Sequence, residues 1–250
     1  MTQTLGFIGS GMIGSTLARS AVAAGLNVVL SNSRGPETLA ELVAELGERA
    51  RAATPAEAAA AGDLVVATIP LVAYDRLPKA ALADKTVIDT LNYYPDRDGR
   101  IDELDERKLT SSALVQRHLA DSHVVKAFNN IDFLRLARLP RPSGATDRSA
   151  VPIAGDHVGA KRQVAQLVDA LGYDAVDIGT LADSWRIEPN APIYVEAYLP
   201  PMPEGLAPQE AGRWYFEAPG VPVPASRVKE LVDSAVLGPV GGVIPAFLQS

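Results

Sequence analysis

The most constraining feature of this sequence is a glycine pattern close to its N-terminus. Gly9, Gly11 and Gly14 form a Gly-x-Gly-x-x-Gly motif between an apolar segment, residues 4–8, and a helical pattern over residues 15–24. In this context the first glycine permits a tight turn, the second lets the backbone approach a pyrophosphate, and the third brings helix and strand together. The free N–H groups at the helix start favour phosphate. A glycine-rich connector without a ligand is the alternative, but we predict a dinucleotide-binding turn formed by Gly9, Ser10, Gly11, Met12, Ile13 and Gly14.

The rest of the chain alternates between apolar strand-like segments and helical patterns. Continuously apolar segments such as 64–67 are typical of strands buried on both faces of a parallel sheet. We therefore predict an α/β fold, with a doubly wound, mostly parallel Rossmann-type sheet and a smaller C-terminal extension that is helical or irregular. The predicted strands are residues 4–8, 27–30, 64–69, 86–89, 124–128, 151–154 and 174–178, and the predicted helices are residues 15–24, 37–46, 56–61, 109–120, 159–171 and 225–237.

The pattern changes near residue 187, which suggests a boundary. Residues 1–186 are predicted to form the NADP-binding Rossmann-type domain. Residues 187–250 contain a segment rich in proline and aromatic residues, followed by a helical pattern. We predict that this extension covers a pocket, contributes to dimerisation, or does both. Its Trp214-Tyr215-Phe216 sequence fits a lid, a dimer contact or a loop packed on its own core.

The end of the second predicted strand bears on the choice of cofactor. An NAD-preferring site usually carries Asp or Glu there, to bind the ribose 2′-hydroxyl. This chain instead has Ser31, Asn32, Ser33 and Arg34, and no carboxylate before Glu37. An arginine fork and serine hydroxyls suit a 2′-phosphate, which a carboxylate would repel. The segment therefore predicts NADP(H), although an arginine in a solvated turn is the alternative.

Other strand ends supply candidate residues for the reaction site, because ligands of doubly wound sheets bind beyond the carboxyl ends of the strands. Thr68, Ile69 and Pro70 are predicted to lie along the nicotinamide half of the cofactor. Asn92 and Asn129 are the candidate catalytic residues, since their amides suit a carboxamide or a substrate carbonyl. The alternative is that these residues only cap the loops that follow.

No proton-relay pair is visible in the sequence. Neither Ser-x-x-x-Lys nor Tyr-x-x-x-Lys occurs in a suitable helix, and Lys126, inside its predicted strand, is expected to point to solvent. This pattern favours a hydride acceptor that needs no acid from the protein over a simple ketone.

Composition excludes several classes of function. The net charge of −7 and the lack of a basic cluster argue against nucleic acid and anionic membranes as partners. There is no cysteine, and the three histidines lack metal-ligand spacing, so we predict no metal site. The longest apolar run, residues 64–73, is too short to span a bilayer. We expect a cytoplasmic protein with a small-molecule substrate.

Taken together, the motifs resemble those of the coenzyme F420-dependent NADP oxidoreductase family. The resemblance covers roughly residues 4–195 in order. It is carried by GFIGSGMIG at 6–14, SNSRGP at 31–36, TIP at 68–70, KAFNN at 126–130, IAGD at 153–156, LGYDAVDIG at 171–179 and RIE at 186–188.

The resemblance implies direct hydride exchange between NADP(H) and the deazaflavin ring of coenzyme F420. It implies that Ser33 and Arg34 hold the 2′-phosphate, that residues 10–13 hold the pyrophosphate, and that Ile69 and Pro70 contact the nicotinamide. Asn129 would lie near the deazaflavin or substrate pocket, and a homodimer is expected. The chain departs from the family pattern after about Val195, where it continues for some fifty residues.

Two other functions fit the sequence. The first is an NADPH-dependent reductase of a small carbonyl, imine or flavin, which the extension motivates. The second is a non-catalytic protein that senses NADPH.

Overall fold

The computed structural model describes residues 3–245 and 247. They form an eight-stranded sheet with the strand order β3-β2-β1-β4-β5-β6-β7-β8. The strands are β1 (Thr4–Ile8), β2 (Asn27–Ser31), β3 (Ala50–Ala52), β4 (Leu64–Ala67), β5 (Thr86–Asp89), β6 (His123–Lys126), β7 (Ala150–Gly155) and β8 (Asp174–Asp177). All pairings among β1 to β6 are parallel, and so is β7 with β8. The predicted fold class, a mostly parallel Rossmann-type sheet, is confirmed.

Helices connect the strands and cover both faces of the sheet. They are α1 (Met12–Ala23), α2 (Ala40–Leu46), α3 (Pro55–Ala61), α4 (Lys79–Leu82), α5 (Pro95–Asp98), α6 (Asp102–Asp105), α7 (Ser111–His118), α8 (Phe133–Arg138), α9 (Val158–Ala170), α10 (Pro208–Glu217) and α11 (Ala225–Asp233). Single-turn or longer 3-10 helices occur at Pro36–Leu39, Gly47–Arg49, Leu71–Arg76, Leu181–Ile187 and Val195–Tyr198. Among the described residues, no helix has both the length and the hydropathy that crossing a bilayer requires.

The chain reverses at the carboxyl edge of β6, which places β7 antiparallel to it. A parallel arrangement would need a crossover back to the amino edge. Helix α8 has six residues and spans only about 9 Å, and residues 139–149 contain no further helix. The chain therefore enters β7 from the carboxyl edge, a reversal that the alternation of sequence patterns does not predict.

The boundaries of the predicted elements differ from the observed ones by up to four residues, and six of the strands and α-helices in the described residues were missed: β3, α4, α5, α6, α8 and α10. Four of them, α4, α5, α6 and α8, are helices of only four to six residues, too short for a helical period to stand out. β3 is only three residues long and half-exposed, so it lacks an apolar pattern. α10 lies inside the Pro- and aromatic-rich segment, where Pro208 occupies its first turn, a position that proline tolerates. The Trp214-Tyr215-Phe216 sequence therefore belongs to a helix, on which Tyr215 is buried and Phe216 is 39% exposed.

The C-terminal extension shares the core of the sheet. Ile193, Tyr198, Val223 and Val228 are buried in one hydrophobic cluster with side chains of β1, α1 and β7. The guanidinium of Arg135, at 0% exposure, donates to the carbonyls of Tyr215 and Ala218. Because these contacts replace water for a fully buried charge, they attach the end of α10 firmly to α8, the helix that carries Arg135.

Candidate functional site

The turn after β1 is built so tightly that two of its glycines have no room for a side chain. Gly9 has a φ of 102°, and a Cβ added there would lie 2.4 Å from the carbonyl oxygen of Thr68. A Cβ at Gly14 would lie 2.4 Å from the carbonyl oxygen of Gly9 and 2.6 Å from Oγ1 of Thr68. The start of α1 therefore lies directly against the carboxyl ends of β1 and β4.

Gly11 differs from these two glycines because it faces open space. A Cβ at Gly11 would meet no atom within 4 Å. Gly11 is also the N-cap residue of α1, and no side chain caps the helix. The first amides of a helix lack intrahelical acceptors, so the free N–H groups of this turn lie beside an open space. An anion such as a pyrophosphate fits there.

The two serines of this region lie one behind the other. Ser10 Oγ donates to the carbonyl oxygen of Ser31 at 3.0 Å. Ser31 itself is fully buried, and its Oγ donates to the carbonyl oxygen of Phe7 at 2.6 Å. The hydroxyl of Ser31 therefore joins β2 to β1, and only its backbone reaches the turn.

The loop after β2 holds an exposed arginine in place. Asn32 Oδ1 accepts hydrogen bonds from the backbone N–H groups of Arg34 at 2.9 Å and Gly35 at 3.0 Å, while its Nδ2 donates to Thr38 Oγ1. Ser33 and Arg34 are exposed, and within residues 3–245 and 247 the Arg34 guanidinium forms no ion pair. The Glu37 carboxylate lies against the backbone of Gly35. The loop therefore offers an unpaired cation beside the glycine turn.

The end of β4 borders the same turn. Thr68 Oγ1 donates to the carbonyl oxygen of Gly9 at 3.0 Å, which fixes the segment against the glycine turn. Ile69 is half-buried and Pro70 is exposed. These two residues form an apolar rim at the point where the strand order reverses between β1 and β4.

Asn92 and Asn129, which follow β5 and β6, are brought together by a reciprocal pair of hydrogen bonds. Asn92 Nδ2 donates to the carbonyl oxygen of Asn129 at 2.7 Å, and Asn129 Nδ2 donates to Asn92 Oδ1 at 3.0 Å. Asn129 Nδ2 also donates to the carbonyl of Ile187, so both amide orientations are fixed by their partners. Asn129 is 4% exposed, and its Oδ1 has no partner among the described residues.

A pair of tyrosines beside Asn92 was not predicted from the sequence. The hydroxyls of Tyr94 and Tyr194 share a hydrogen bond, and Asn92 Nδ2 donates to the Tyr194 hydroxyl at 3.2 Å. Burial raises the pKa of both phenols, that of Tyr194 well above its ordinary value, so both are protonated at neutral pH. The guanidinium of Arg97 lies 4.9 Å from the centroid of the Tyr94 ring. No local pattern could reveal a pair that is 100 residues apart in the chain.

Two strained residues flank this group of side chains. Phe128 has a φ of 58° and directly precedes Asn129, and Val195 has a φ of 39° and directly follows Tyr194. Positive φ is rare for a β-branched residue, and such strain is most often found at functional sites. The Val195 N–H donates to the carbonyl of Asn130, which holds Tyr194 next to the end of β6.

Lys126 does not point to solvent, so that prediction was wrong. Its side chain is fully buried, and its ammonium lies 3.6 Å from Asp89 Oδ2 and 2.9 Å from Ser111 Oγ. Ser111 in turn donates to Glu188 at 2.6 Å. Helix α7 begins with two serines at the carboxyl edge of the sheet and supplies the polar partners that a buried ammonium requires.

Comparisons with known proteins agree with this geometry. The family model of coenzyme F420-dependent NADP oxidoreductases matches residues 4–93. The structure of a hypothetical protein from Sinorhizobium meliloti is 30% identical, with a TM-score of 0.68 over 78% of this chain and 93% of that one. A protein from Arthrobacter sp. FB24, assigned as an F420-dependent NADP reductase, has a TM-score of 0.62 at 23% identity, over 74% of this chain and 87% of that one. The chain belongs to the F420-dependent NADP oxidoreductase family.

This family is one of NADP-dependent oxidoreductases. The metalloreductase STEAP3 of Rattus norvegicus is 31% identical over 186 residues, which are 74% of this chain and 35% of the rat protein. The chain spans between a third and two fifths of the length of the curated relatives that it matches. The matched family region, residues 4–93, contains the glycine turn and the Arg34 loop but not Asn129 or Tyr194.

A cavity of about 390 Å³ lies between the loop after β5 and residues 236–241. Tyr93, Ser111, Trp185 and Glu188 line it, and residues 236–241 form one of its walls. Hydrogen bonds from Asn190 Nδ2 to the carbonyls of Pro239 and Gly241, and from Arg107 to that of Gly238, hold this wall in place. The cavity borders the segment that carries Asn92 and Tyr94, because Tyr93 lies between them in the chain.

Proposed function

We propose that this protein transfers a hydride between NADP(H) and coenzyme F420. The observation that carries the cofactor assignment is the open, uncapped start of α1 over Gly11 beside a loop that presents unpaired Arg34 and no Asp or Glu at the end of β2. Amides that lack acceptors favour a pyrophosphate, and a guanidinium fork favours a phosphate on the ribose.

The residues divide into three groups by the part of the cofactor that they would hold. The backbone of the turn, residues 10–13, would bind the pyrophosphate. Ser33 and Arg34 would donate to the 2′-phosphate, while Asn32 and Ser31 hold the loop in shape. Thr68, Ile69 and Pro70 would flank the nicotinamide. When bound, NADPH supplies the hydride.

The two asparagines would orient the reacting groups. Asn129 Oδ1 is a buried acceptor without a partner among the described residues, and leaving such an atom unpaired costs about 1–3 kcal/mol. The carboxamide NH2 of the nicotinamide is a donor of the right kind for it. Asn92 would hold Asn129 and the tyrosine pair in position. F420 as acceptor is supported by the family, whose members are named for it.

A small carbonyl, imine or flavin is the second candidate acceptor. The tyrosine pair favours it, because a phenol beside the site can donate to a carbonyl oxygen or an imine nitrogen. A protein that senses NADPH without turnover is the third reading.

The decisive assay is the visible absorbance of oxidised F420 mixed with the purified protein and NADPH, with NADH in parallel. We expect bleaching with NADPH and little with NADH. NADPH binding without bleaching, together with oxidation of NADPH by an imine, carbonyl or flavin, would support the second candidate. NADPH binding without oxidation by any acceptor would support a sensor.

Arg34→Ala tests the 2′-phosphate assignment. Loss of a hydrogen bond to a charged group costs about 1.5–3 kcal/mol, so the Kd for NADPH should rise roughly 10- to 100-fold while that for NADH hardly changes. Arg162→Ala is the matched control, because Arg162 is an exposed arginine of α9. Equal losses for both cofactors in Arg34→Ala would contradict the assignment.

A homodimer also stays a proposal. It is supported by apolar side chains in the extension, since Val236, Leu237 and Val243 are 80%, 61% and 75% exposed. Light scattering on the wild type and on V236S/L237S tests it, and a monomeric wild type would contradict it.

A further inference from the structure

The hydroxyls of Tyr94 and Tyr194 hold one hydrogen more than their surroundings can accept. Each neutral phenol carries one O–H, and the two share a single hydrogen bond. The other contact of the pair, Asn92 Nδ2 to the Tyr194 hydroxyl, brings a further donor and no acceptor. Whichever tyrosine donates within the pair, one phenolic hydrogen has no acceptor among residues 3–245 and 247.

The surrounding structure fixes where this hydrogen lies. Asn92 cannot rotate its amide to accept it, because Asn92 Oδ1 already accepts from Asn129 Nδ2 at 3.0 Å. Asn92 and Asn129 follow β5 and β6, which are the two strands beyond β4 in the sheet order. The pair lies close to the segment that follows β4, because the backbone N–H groups of Tyr94 and of Val72, two residues after Pro70, both donate to the Asp98 carboxylate, at 2.9 and 3.4 Å. The backbone of Val195, with its φ of 39°, holds Tyr194 there at a cost in strain.

We propose that the Tyr94–Tyr194 pair is the proton donor of the reaction, and that the acceptor is a molecule whose hydride-receiving carbon is doubly bonded to, or conjugated with, a nitrogen or oxygen. The inference rests on the proposed hydride transfer from NADPH. It extends that function by adding an acid, which the sequence patterns did not predict, and by excluding acceptors that take electrons without a proton, such as a metal ion.

The reaction then balances as follows. The acceptor carbon gains the hydride, the phenol O–H bond breaks, and its proton moves to the acceptor nitrogen or oxygen. The electron pair of that bond stays on the phenol oxygen as a phenolate, which takes a proton from water. The net change is acceptor plus NADPH plus one proton, giving reduced acceptor and NADP+.

Arg97 is the group that would stabilise the transient phenolate. Its guanidinium lies over the Tyr94 ring, and its Nη2 donates to the carbonyl of Asn92 at 2.9 Å. The adjacent Asp98 carboxylate accepts from Arg97 and is fully buried, which keeps the guanidinium over the ring. The Arg97 side chain is 34% exposed, so water reaches this end of the pair.

The test uses Tyr94→Phe, Tyr194→Phe and the double variant, with Tyr74→Phe as the matched control. Tyr74 is also half-buried, and its hydroxyl forms no hydrogen bond with a described residue. NADPH affinity is measured by fluorescence, and turnover is measured with two probes, F420 and the cyclic imine 2-methyl-1-pyrroline. In the double variant we expect an NADPH Kd within twofold of wild type and turnover lower by about 10²- to 10⁴-fold, the usual contribution of a general acid.

The pH profile separates a proton donor from a merely structural role. In the double variant, solvent acid must replace the phenol, so the remaining rate should fall about tenfold per pH unit between pH 6 and 8. Each single variant keeps one phenolic hydrogen and should lose less activity than the double variant.

The outcomes are distinguishable from those of the function assay. Reduction of the imine but not of F420, lost in the double variant, would overturn the F420 assignment and support the proton donor. Turnover of either probe that survives in the double variant with the wild-type pH profile would overturn the proton donor and leave hydride transfer standing. Wild-type protein that binds NADPH and reduces neither probe would overturn both.

Discussion

Two glycines of the same motif should respond in opposite ways to the same added methyl group. Gly14→Ala places a Cβ 2.4 Å from the carbonyl oxygen of Gly9, whereas Gly11→Ala places one in open space. The first substitution should damage the fold, and the second should damage only cofactor binding.

The magnitudes follow from the contacts. At Gly14 the backbone must move by about 0.6 Å to bring the contact to 3.0 Å, and overpacking of this kind costs about 1–3 kcal/mol. For a chain of 250 residues this corresponds to a fall in Tm of roughly 2–12 °C. At Gly11 the φ of −74° is accessible to alanine. Alanine is a poorer N-cap residue than glycine, which destabilises the fold, but it also reduces the entropy of the unfolded chain, which stabilises it. The net change in the free energy of unfolding should therefore stay within about 0.5 kcal/mol.

The assay is thermal unfolding with and without NADPH, combined with calorimetric titration. NADPH at a hundred times its Kd should stabilise the wild type by about 2.7 kcal/mol. Gly11→Ala should keep the Tm of the free protein but lose most of that stabilisation, because its methyl group occupies the space proposed for the pyrophosphate. A Gly11→Ala variant that binds NADPH like wild type would refute the site, and a Gly14→Ala variant with the wild-type Tm would refute the close packing.

Three further substitutions test other contacts. Ser31→Ala removes the buried hydrogen bond to the Phe7 carbonyl and should lower the free energy of unfolding, measured in urea, by about 1–3 kcal/mol. A weaker NADPH affinity with unchanged stability would instead mean that the Ser31 hydroxyl binds the cofactor. Arg135→Met leaves Asp132 and two carbonyls without their buried partner and should lower the free energy of unfolding by about 3–5 kcal/mol, measured by urea denaturation. A loss below 1 kcal/mol would show that the packing of α10 does not depend on Arg135. Thr54→Ala removes the capping box of α3 and should lower the Tm at pH 7. Hydrogen bonds from Thr54 lower the pKa of Glu57 in the folded protein. The stabilisation is therefore present above the pKa that Glu57 has in the unfolded chain, and it is lost as the pH falls through the pKa of Glu57 in the folded protein. The Tm difference between wild type and variant should shrink toward pH 3, and a constant difference would contradict this cause.

Local patterns of the sequence predicted the longer strands and helices in the first half of the fold, but not its short elements β3, α4, α5 and α6. Continuous apolar strands and a glycine motif at a strand–helix junction each specify geometry within about ten residues, and both have the structure expected from the sequence. The choice of NADP(H) came from the same kind of signal, since an arginine and two serines replace a carboxylate within one turn.

The tertiary structure alone decided which distant polar groups meet. The burial of Lys126 depends on Asp89 and Ser111, and the pairing of Tyr94 with Tyr194 joins residues 100 positions apart. Neither contact can be detected as a periodic pattern in the sequence, because hydrophobic periodicity shows which face of an element is buried but not which polar side chain it will contact. The direction of β7 likewise depends on how far α8 carries the chain. The sequence thus predicted the residues proposed to bind the cofactor, whereas the proposed acid could be recognised only after the chain had folded.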